Sequence, residues 1–481
     1  MKPQYWVFAL LFILSGGAVV QSQVVPPADT PGPVILTMDE CVKRGLERNP
    51  QIGQAEAKVD EAEAKVKQAR SKLYPTLKFS ANAVRSNKLP EFKTSEPEYI
   101  PTTVGMANPS GGLVPGLPTH IHMLPFPGFE MSNTREGDIY GAKVEAQYPL
   151  YTGNKIENGV DAAELQERAE NENLRQTKNQ LVFDIQQAFS GLLLAQQMVE
   201  VVDESYRTAN AHYQQVQALY NEGLASNLDV LQMEAVLADL KPQRIKARNG
   251  VKKARLYLNN LLNIDLETRI EAEGELEYGP RELPLPEDLY AMAMEHRPEM
   301  RTLRLRKKMA REMVEIAEAN AYPTVALFAN YSWDRGQEMP PNDDIWRDGY
   351  QAGISVSVPV FDGGETGGKV AEARAMLRQV NKGMEALELG IKTQVQDALL
   401  SLESARETVE AREASVRASQ KNYDVARARY AVGLATNVDV MDAHSQLTRT
   451  KAERLQAVYD YNLAWINLKS ALGMPEEEHI K

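Results

Sequence analysis

Apolar residues recur along two long stretches at alternating spacings of four and three. The first series is Leu181, Ile185, Ala188, Leu192, Ala195, Val199, Val202, Tyr206, Ala209, Tyr213, Val216 and Tyr220. The second keeps the same rhythm through Ile391, Val395, Ala398, Leu402, Ala405, Val409, Arg412, Val416, Ser419, Tyr423, Ala426 and Tyr430. A 3.5-residue period sustained this long is a coiled-coil seam. It predicts long helices over 154–222 and 365–432, with returning helices over 227–263 and 437–472. At 1.5 Å per residue, a helix from 154 to 221 runs roughly 100 Å. Such a helix needs neighbours alongside it, from its own return or from other chains.

A second pattern has period two and predicts strands. In 140–148, Tyr140, Ala142, Val144, Ala146 and Tyr148 alternate with Gly141, Lys143, Glu145 and Gln147. In 350–358, Tyr350, Ala352, Ile354, Val356 and Val358 alternate with Gln351, Gly353, Ser355 and Ser357. Segments 77–84 and 325–333 alternate less cleanly. Lengths of about nine residues suit a tilted membrane strand, and terminal aromatics suit a lipid interface. Half-buried soluble hairpins would meet the same pattern.

The chain is written twice. Tyr220, Gly223, Asn227 and Asp229 align with Tyr430, Gly433, Asn437 and Asp439 at an offset of 210. The same offset carries Pro149 onto Pro359 and Gly153 onto Gly363. Upstream the offset is 248, bringing Asn49-Pro50 onto Arg297-Pro298 and Tyr74-Pro75 onto Tyr322-Pro323. The first copy therefore holds 38 more residues, placed in a Gly/Pro-rich loop over 86–137. Each copy opens with a helical segment, 37–73 or 286–321. Thr37-Met38-Asp39-Glu40 is a capping box for the first.

Four strands cannot close a barrel, and an open edge in lipid leaves backbone groups unsatisfied. Membrane strands here would require more than one chain. Two chains would give eight strands and a filled interior, whereas three would give twelve and a passage.

Composition narrows the class. The chain has 481 residues and a formal charge of −12, which disfavours binding to a phosphate backbone. Its single cysteine, Cys41, excludes internal disulfides and a cysteine-based zinc site. Mean hydropathy is −0.41, unlike a helical membrane protein but compatible with a β-barrel. Lys2, the apolar run from Trp6 to Leu14 and the small residues Ser15 to Ala18 read as a secretory signal peptide. The expected layout is a signal peptide over 1–22, an extended leader over 23–35 and a first repeat over 36–264. An acidic linker over 265–285, a second repeat over 286–474 and a tail over 475–481 complete it.

The two-copy layout, Asn49-Pro50, the Tyr-Pro before each copy's first strand and the Gly-Leu-Ala-x-Asn-x-Asp-Val turns together resemble the TolC-like outer-membrane efflux protein family. The resemblance spans roughly 35–474. It implies an α+β membrane protein: a homotrimeric twelve-stranded β-barrel with four strands per chain, continued by a long α-helical periplasmic tunnel. It implies residence in the outer membrane of a Gram-negative bacterium. The function implied is passive export, in tripartite efflux or type I secretion. Partners would be a periplasmic adaptor, an inner-membrane transporter of RND, ABC or MFS type, and outer-membrane lipid.

The resemblance also assigns roles at the periplasmic tip. Gly223-Leu224-Ala225 and Gly433-Leu434-Ala435 are the turns expected to contact the adaptor. Asp439 and Asp442 match an aspartate pair lining the closed constriction. Tyr430 and Asp229 match positions that hydrogen-bond between helices to hold the gate. Ala435 and Leu228 stand where some relatives carry a gate-locking arginine and its threonine partner, so that latch is incomplete here. Read from the residues alone, Asp229 and Asp439 are caps of the helix after each turn.

Other chemistry is not expected. Gly363-Gly364-Glu365-Thr366-Gly367-Gly368-Lys369-Val370 nearly spells a phosphate loop, but Val370 replaces the hydroxyl that would hold magnesium. His120 and His122, near Met123, are the one suggestive metal pattern, and a solvated loop is the simpler reading. No catalytic constellation, cofactor site or nucleic-acid surface is expected. The rival reading from another class is a soluble periplasmic coiled-coil scaffold.

Overall fold

The computed structural model describes residues 34–104, 120–279, 285–335 and 346–474. The expected signal peptide, most of the leader and the tail fall outside the described residues. In chain order the elements are β1 (Val34–Leu36), α1 (Met38–Arg48), α2 (Pro50–Ser71), β2 (Thr76–Val104) and β3 (His120–Tyr151). Then come α3 (Lys155–Asn221), α4 (Asn227–Leu261), β4 (Ile270–Ala272), α5 (Pro286–His296) and α6 (Pro298–Glu318). A 3-10 turn over Ala319–Ala321 leads to β5 (Thr324–Arg335), β6 (Arg347–Ser357), α7 (Glu365–Ala431) and α8 (Asn437–Ala471). The described residues divide into two units, one built from 34–45, 185–277 and 412–459, the other from the remainder.

The segment over 37–73 is two helices, not one, and so is that over 286–321. The reason is Pro50 and Pro298, which cannot donate within a helix but suit its first position. Asn49 caps α2 by accepting from the Gln51 N–H at 2.8 Å. The Thr37/Glu40 capping box starts α1, with reciprocal bonds of 3.1 and 3.3 Å.

The second unit carries a four-stranded antiparallel sheet in the order β2–β3–β5–β6. Its register places the apolar sets of all four strands on one face. One cross-sheet row is Leu77, Ala146, Ala329 and Ala352; the next is Phe79, Val144, Tyr331 and Tyr350. Between them, on the other face, runs the row Lys78, Glu145, Asn330 and Gln351. Leu77, Phe79, Tyr350 and Ile354 are exposed on the apolar face. A monomeric soluble sheet would cover such a face.

The expected loop over 86–137 is corrected by the fold. β2 and β3 pair well past the expected strands, out to Val104 opposite His120, whereas β3 and β5 part at Tyr140 opposite Arg335. β2 has 29 residues, against roughly 9–11 for a membrane crossing. Two of the prolines that suggested a loop fall at irregularities, while Pro101 and Pro125 are paired in register. Pro90 and Pro97 fall where the register shifts, between Leu89 and Glu91 and between Ser95 and Glu98. A bulge needs no ladder donor. His120 and His122 thus lie in the first residues of β3, opposite Val104 and Thr102.

The acidic linker likewise contains structure. β4 pairs in parallel with β1, and Leu36 and Ile270 are buried there. The near phosphate loop is the joint between β6 and α7. Asp362 accepts from the N–H groups of Gly364 and Thr366 at 2.9 and 2.8 Å. The Thr366 hydroxyl and these backbone donors hold the carboxyl down at about 2. The chain's own carboxylate occupies the donors a phosphate would need.

Arg297 stands where the first copy has Asn49, but it caps nothing. Its guanidinium is buried and bonds the Ala471 carbonyl and Gln394 Oε1, each at 2.6 Å. Gly473 turns beside it with φ of +76°, and a Cβ there would lie 2.9–3.0 Å from the Arg297 and His296 backbone. Gly473→Ala is expected to cost about 2 kcal/mol or more, from left-handed strain plus a backbone clash. Denaturant unfolding of the purified protein checks this.

Candidate functional site at the helical turns

The first unit gathers the α3–α4 and α7–α8 turns. Both glycines adopt the left-handed conformation, Gly223 at φ +76° and Gly433 at φ +75°. Each turn is a Schellman motif. Gly223 N–H donates to the Tyr220 carbonyl at 2.9 Å and Leu224 N–H to Leu219 at 2.8 Å. Gly433 and Leu434 repeat this onto Tyr430 and Arg429 at 3.0 and 2.9 Å. The turns project apolar side chains: Leu224 is 72% exposed and Leu434 68%. Ala225 and Ala435 are half-buried.

Both returning helices start with a carboxylate cap. Asp229 Oδ2 accepts from Ser226 N–H at 3.0 Å and from the Ser226 hydroxyl at 2.6 Å. Asp439 Oδ2 accepts from Thr436 N–H and its hydroxyl, both at 2.7 Å. The Thr436 backbone donor holds the Asp439 carboxyl below the usual range. The capping role read from the residues is therefore present. It leaves the second carboxylate oxygen of Asp439 uncommitted to the cap. Asp439 and Asp442 are both exposed, on one stripe of α8.

Tyr430 stacks its ring edge-on against His212, with centroids 5.1 Å apart. Burial, and then the Asp229 carboxylate, push its hydroxyl above the usual tyrosine range. The two turns meet through Asn437, whose amide donates to the Asp229 carbonyl at 3.4 Å. Leu228, at the place of the missing latch partner, is exposed.

The seam residues Leu181, Ile185, Leu192 and Val216 of α3 and Ile391, Val395, Leu402 and Val409 of α7 are buried. Two buried polar residues lie beside the seam and outside its expected members: Ser205 and His212, each one place before a seam tyrosine and in line with the seam's Ala209 and Val216 at four, three and four. The polar members face α8: His212 meets Asn437 and Ser205 meets His444. Polar residues one place off an apolar seam were the available signal.

Long helices with paired turns, and a sheet with one exposed apolar face, are features of a membrane channel. The chain matches the model of the outer membrane efflux protein family over residues 42–109, 128–263 and 289–474. It belongs to that family and is an outer-membrane efflux channel. The family's members are channels, which sets aside the soluble scaffold.

The chain is 26% identical over 369 residues to the alkaline protease secretion protein AprF of Pseudomonas aeruginosa, covering 73% of each chain. It is 24% identical over 333 residues to the outer membrane efflux protein BepC of Brucella suis, covering 69% of this chain and 71% of that one. Among solved structures, VceC of Vibrio cholerae superposes with a TM-score of 0.69 at 20% identity, covering 91% of this chain and 97% of that one. The open state of MtrE from Neisseria gonorrhoeae gives 0.68 at 17% identity, covering 91% and 89%.

Proposed function

We propose that three copies of this chain pool their strands in one twelve-stranded barrel and form the outer-membrane exit of a tripartite efflux or type I secretion system. The observation that carries this reading is the four-stranded sheet, whose outer strands β2 and β6 each have one neighbour among the described residues. An open edge in lipid costs several kcal/mol per unsatisfied backbone group. Closure needs at least eight strands, and twelve leave a lumen for the row containing Lys78, Glu145 and Asn330.

In this assembly the exposed Leu224 and Leu434 turns dock a periplasmic adaptor, with Gly223, Ala225, Gly433 and Ala435 shaping them. An inner-membrane transporter of RND, ABC or MFS type supplies the energy. Asp439 and Asp442 line the periplasmic constriction as six carboxylates, and Tyr430 with Asp229 braces it. The relatives' names span protease secretion and efflux, so either cargo route suits this reading.

Light scattering on the detergent-extracted complex tests the closure. Three chains per particle are the expected result. A dimer or a monomer would remove the twelve-stranded barrel.

A further inference from the structure

The α8 segment carrying Asp439 and Asp442 is pinned to α3 at both ends by a buried histidine. Two residues before Asp439, Asn437 Oδ1 accepts from His212 Nε2 at 2.8 Å. Two residues after Asp442, His444 Nε2 lies 3.1 Å from Ser205 Oγ and 3.2 Å from the Ser205 carbonyl. Asn437, Ser205 and both histidines are buried, while the two aspartates point to the exposed side of the same helix.

The bridges fix the protonation each imidazole needs. The Asn437 amide nitrogen is spent on the Asp229 carbonyl, so its oxygen faces His212 and Nε2 must donate. A backbone carbonyl can only accept, so Nε2 of His444 must also carry its hydrogen. That leaves His444 Nδ1 as a bare lone pair, buried and without a hydrogen-bond partner among the described residues. A second proton there would create a buried N–H with no acceptor, at a charged ring.

We propose that His212 and His444 are positioning residues of the gate: neutral, they clamp the α8 aspartate segment onto α3, and protonated, they release it, so that mild acid opens the duct. This rests on reading Asp439 and Asp442 as the constriction. Repeat symmetry does not demand these bridges, since the residues aligned with His212 and His444 are Asn422 and Glu234.

Every neighbouring element bears on the balance. For His212, burial favours the neutral ring, Arg427 on α7 adds to that, and the Asn437 bond opposes it. For His444, burial leads, Lys451 on α8 and His212 on α3 add to it, and the Ser205 bond and Glu204 on α3 oppose it. Tyr423 and Tyr430 on α7 pack their rings against His444 and His212, tilted and edge-on respectively. Asp229 on α4 reaches this cluster through its carbonyl, its carboxylate being held by Ser226.

Both rings thus sit below the ordinary histidine value of 6.5 when packed. Above pH 6.5 neither state takes up a proton and the clamp is intact. Below it the released state binds protons that the packed state refuses. The clamp weakens by at most about tenfold per pH unit per histidine, until the depressed values are reached.

The test is single-channel recording of the full-length, detergent-extracted complex at pH 7.5 and 5.5, beside His212→Gln, His444→Gln and the double variant. Glutamine keeps an N–H donor and does not titrate. The wild-type open probability is expected to rise at pH 5.5, by up to about a hundredfold for two histidines over the unit below 6.5, each single variant to rise less, and the double variant to stay flat. A flat wild type, or a rise that survives in the double variant, overturns the inference. If the double variant does not assemble, the thermal midpoint of each single variant replaces it. The acid-induced drop should shrink in both, and an unchanged drop overturns the inference. Cation selectivity of Asp442→Asn at pH 7.5 is read separately. Selectivity unmoved there and in the Asp439→Ala/Asp442→Ala double variant, beside a histidine-dependent rise, removes the constriction reading and leaves the clamp standing.

Discussion

Ala329→Arg is expected to abolish recovery of the assembled protein from the outer membrane, while Asn330→Arg leaves it intact. The two residues are neighbours on β5 and differ only in the face they occupy. Ala329 lies in the row with Leu77, Ala146 and Ala352, at the middle of the apolar face. Apolar rows flank it on both sides, Tyr148, Leu327 and Ile354 below and Phe79, Val144 and Tyr331 above. An arginine at the lipid midplane of a barrel costs about 2–4 kcal/mol. A closed assembly repeats that cost in every copy, about 6–12 kcal/mol over three chains, which is of the same size as the roughly 5–15 kcal/mol by which a fold is stable. Asn330 sits between Glu145 and Gln351, where an added guanidinium meets water and a carboxylate. The readout is the mass and yield of the extracted complex for each variant. Loss of both would indicate a packing fault on β5, and loss of neither would take the sheet out of the lipid.

The parts legible in the sequence are those where one period dominates. The seam over 181–220 is legible because its positions are buried or half-buried from Leu181 to Val216, with only Tyr220 exposed beside the turn, and α3 spans Lys155–Asn221. The four apolar strand faces read as separate patterns, and the register then merged them into one surface. The β2–β3 extension was missed because prolines were read as loop signals, although at a register shift a missing donor costs nothing. The β1–β4 pair was missed because three residues are too few to show a period. At the turns, Gly223 and Gly433 announced themselves, since their positive φ excludes most other residues. The histidine bridges did not. His212 and His444 lie more than 200 positions apart, and only helix packing reveals that each meets a short polar side chain.

Asp442→Asn is expected to reduce the cation preference of single channels without loss of stability, and Asp439→Ala to reduce both. The difference lies in what each carboxylate does within the chain. Asp439 holds Thr436 at the start of α8 through two 2.7 Å bonds. Removing a cap costs about 0.5–2 kcal/mol, so an alanine there confounds selectivity with fraying of the turn. Asp442 is exposed one helical turn further on and lies outside that capping box. Its amide isostere removes charge alone. Three copies would lose three of six negative charges around the narrowest part of the duct, and rings of carboxylates attract cations and disfavour anions. Reversal potentials across a salt gradient measure the effect. Full preference in Asp442→Asn together with full preference in the Asp439→Ala/Asp442→Ala double variant would place the constriction elsewhere. Preference lost in the double variant alone would assign it to Asp439, whose second oxygen is left free by the cap.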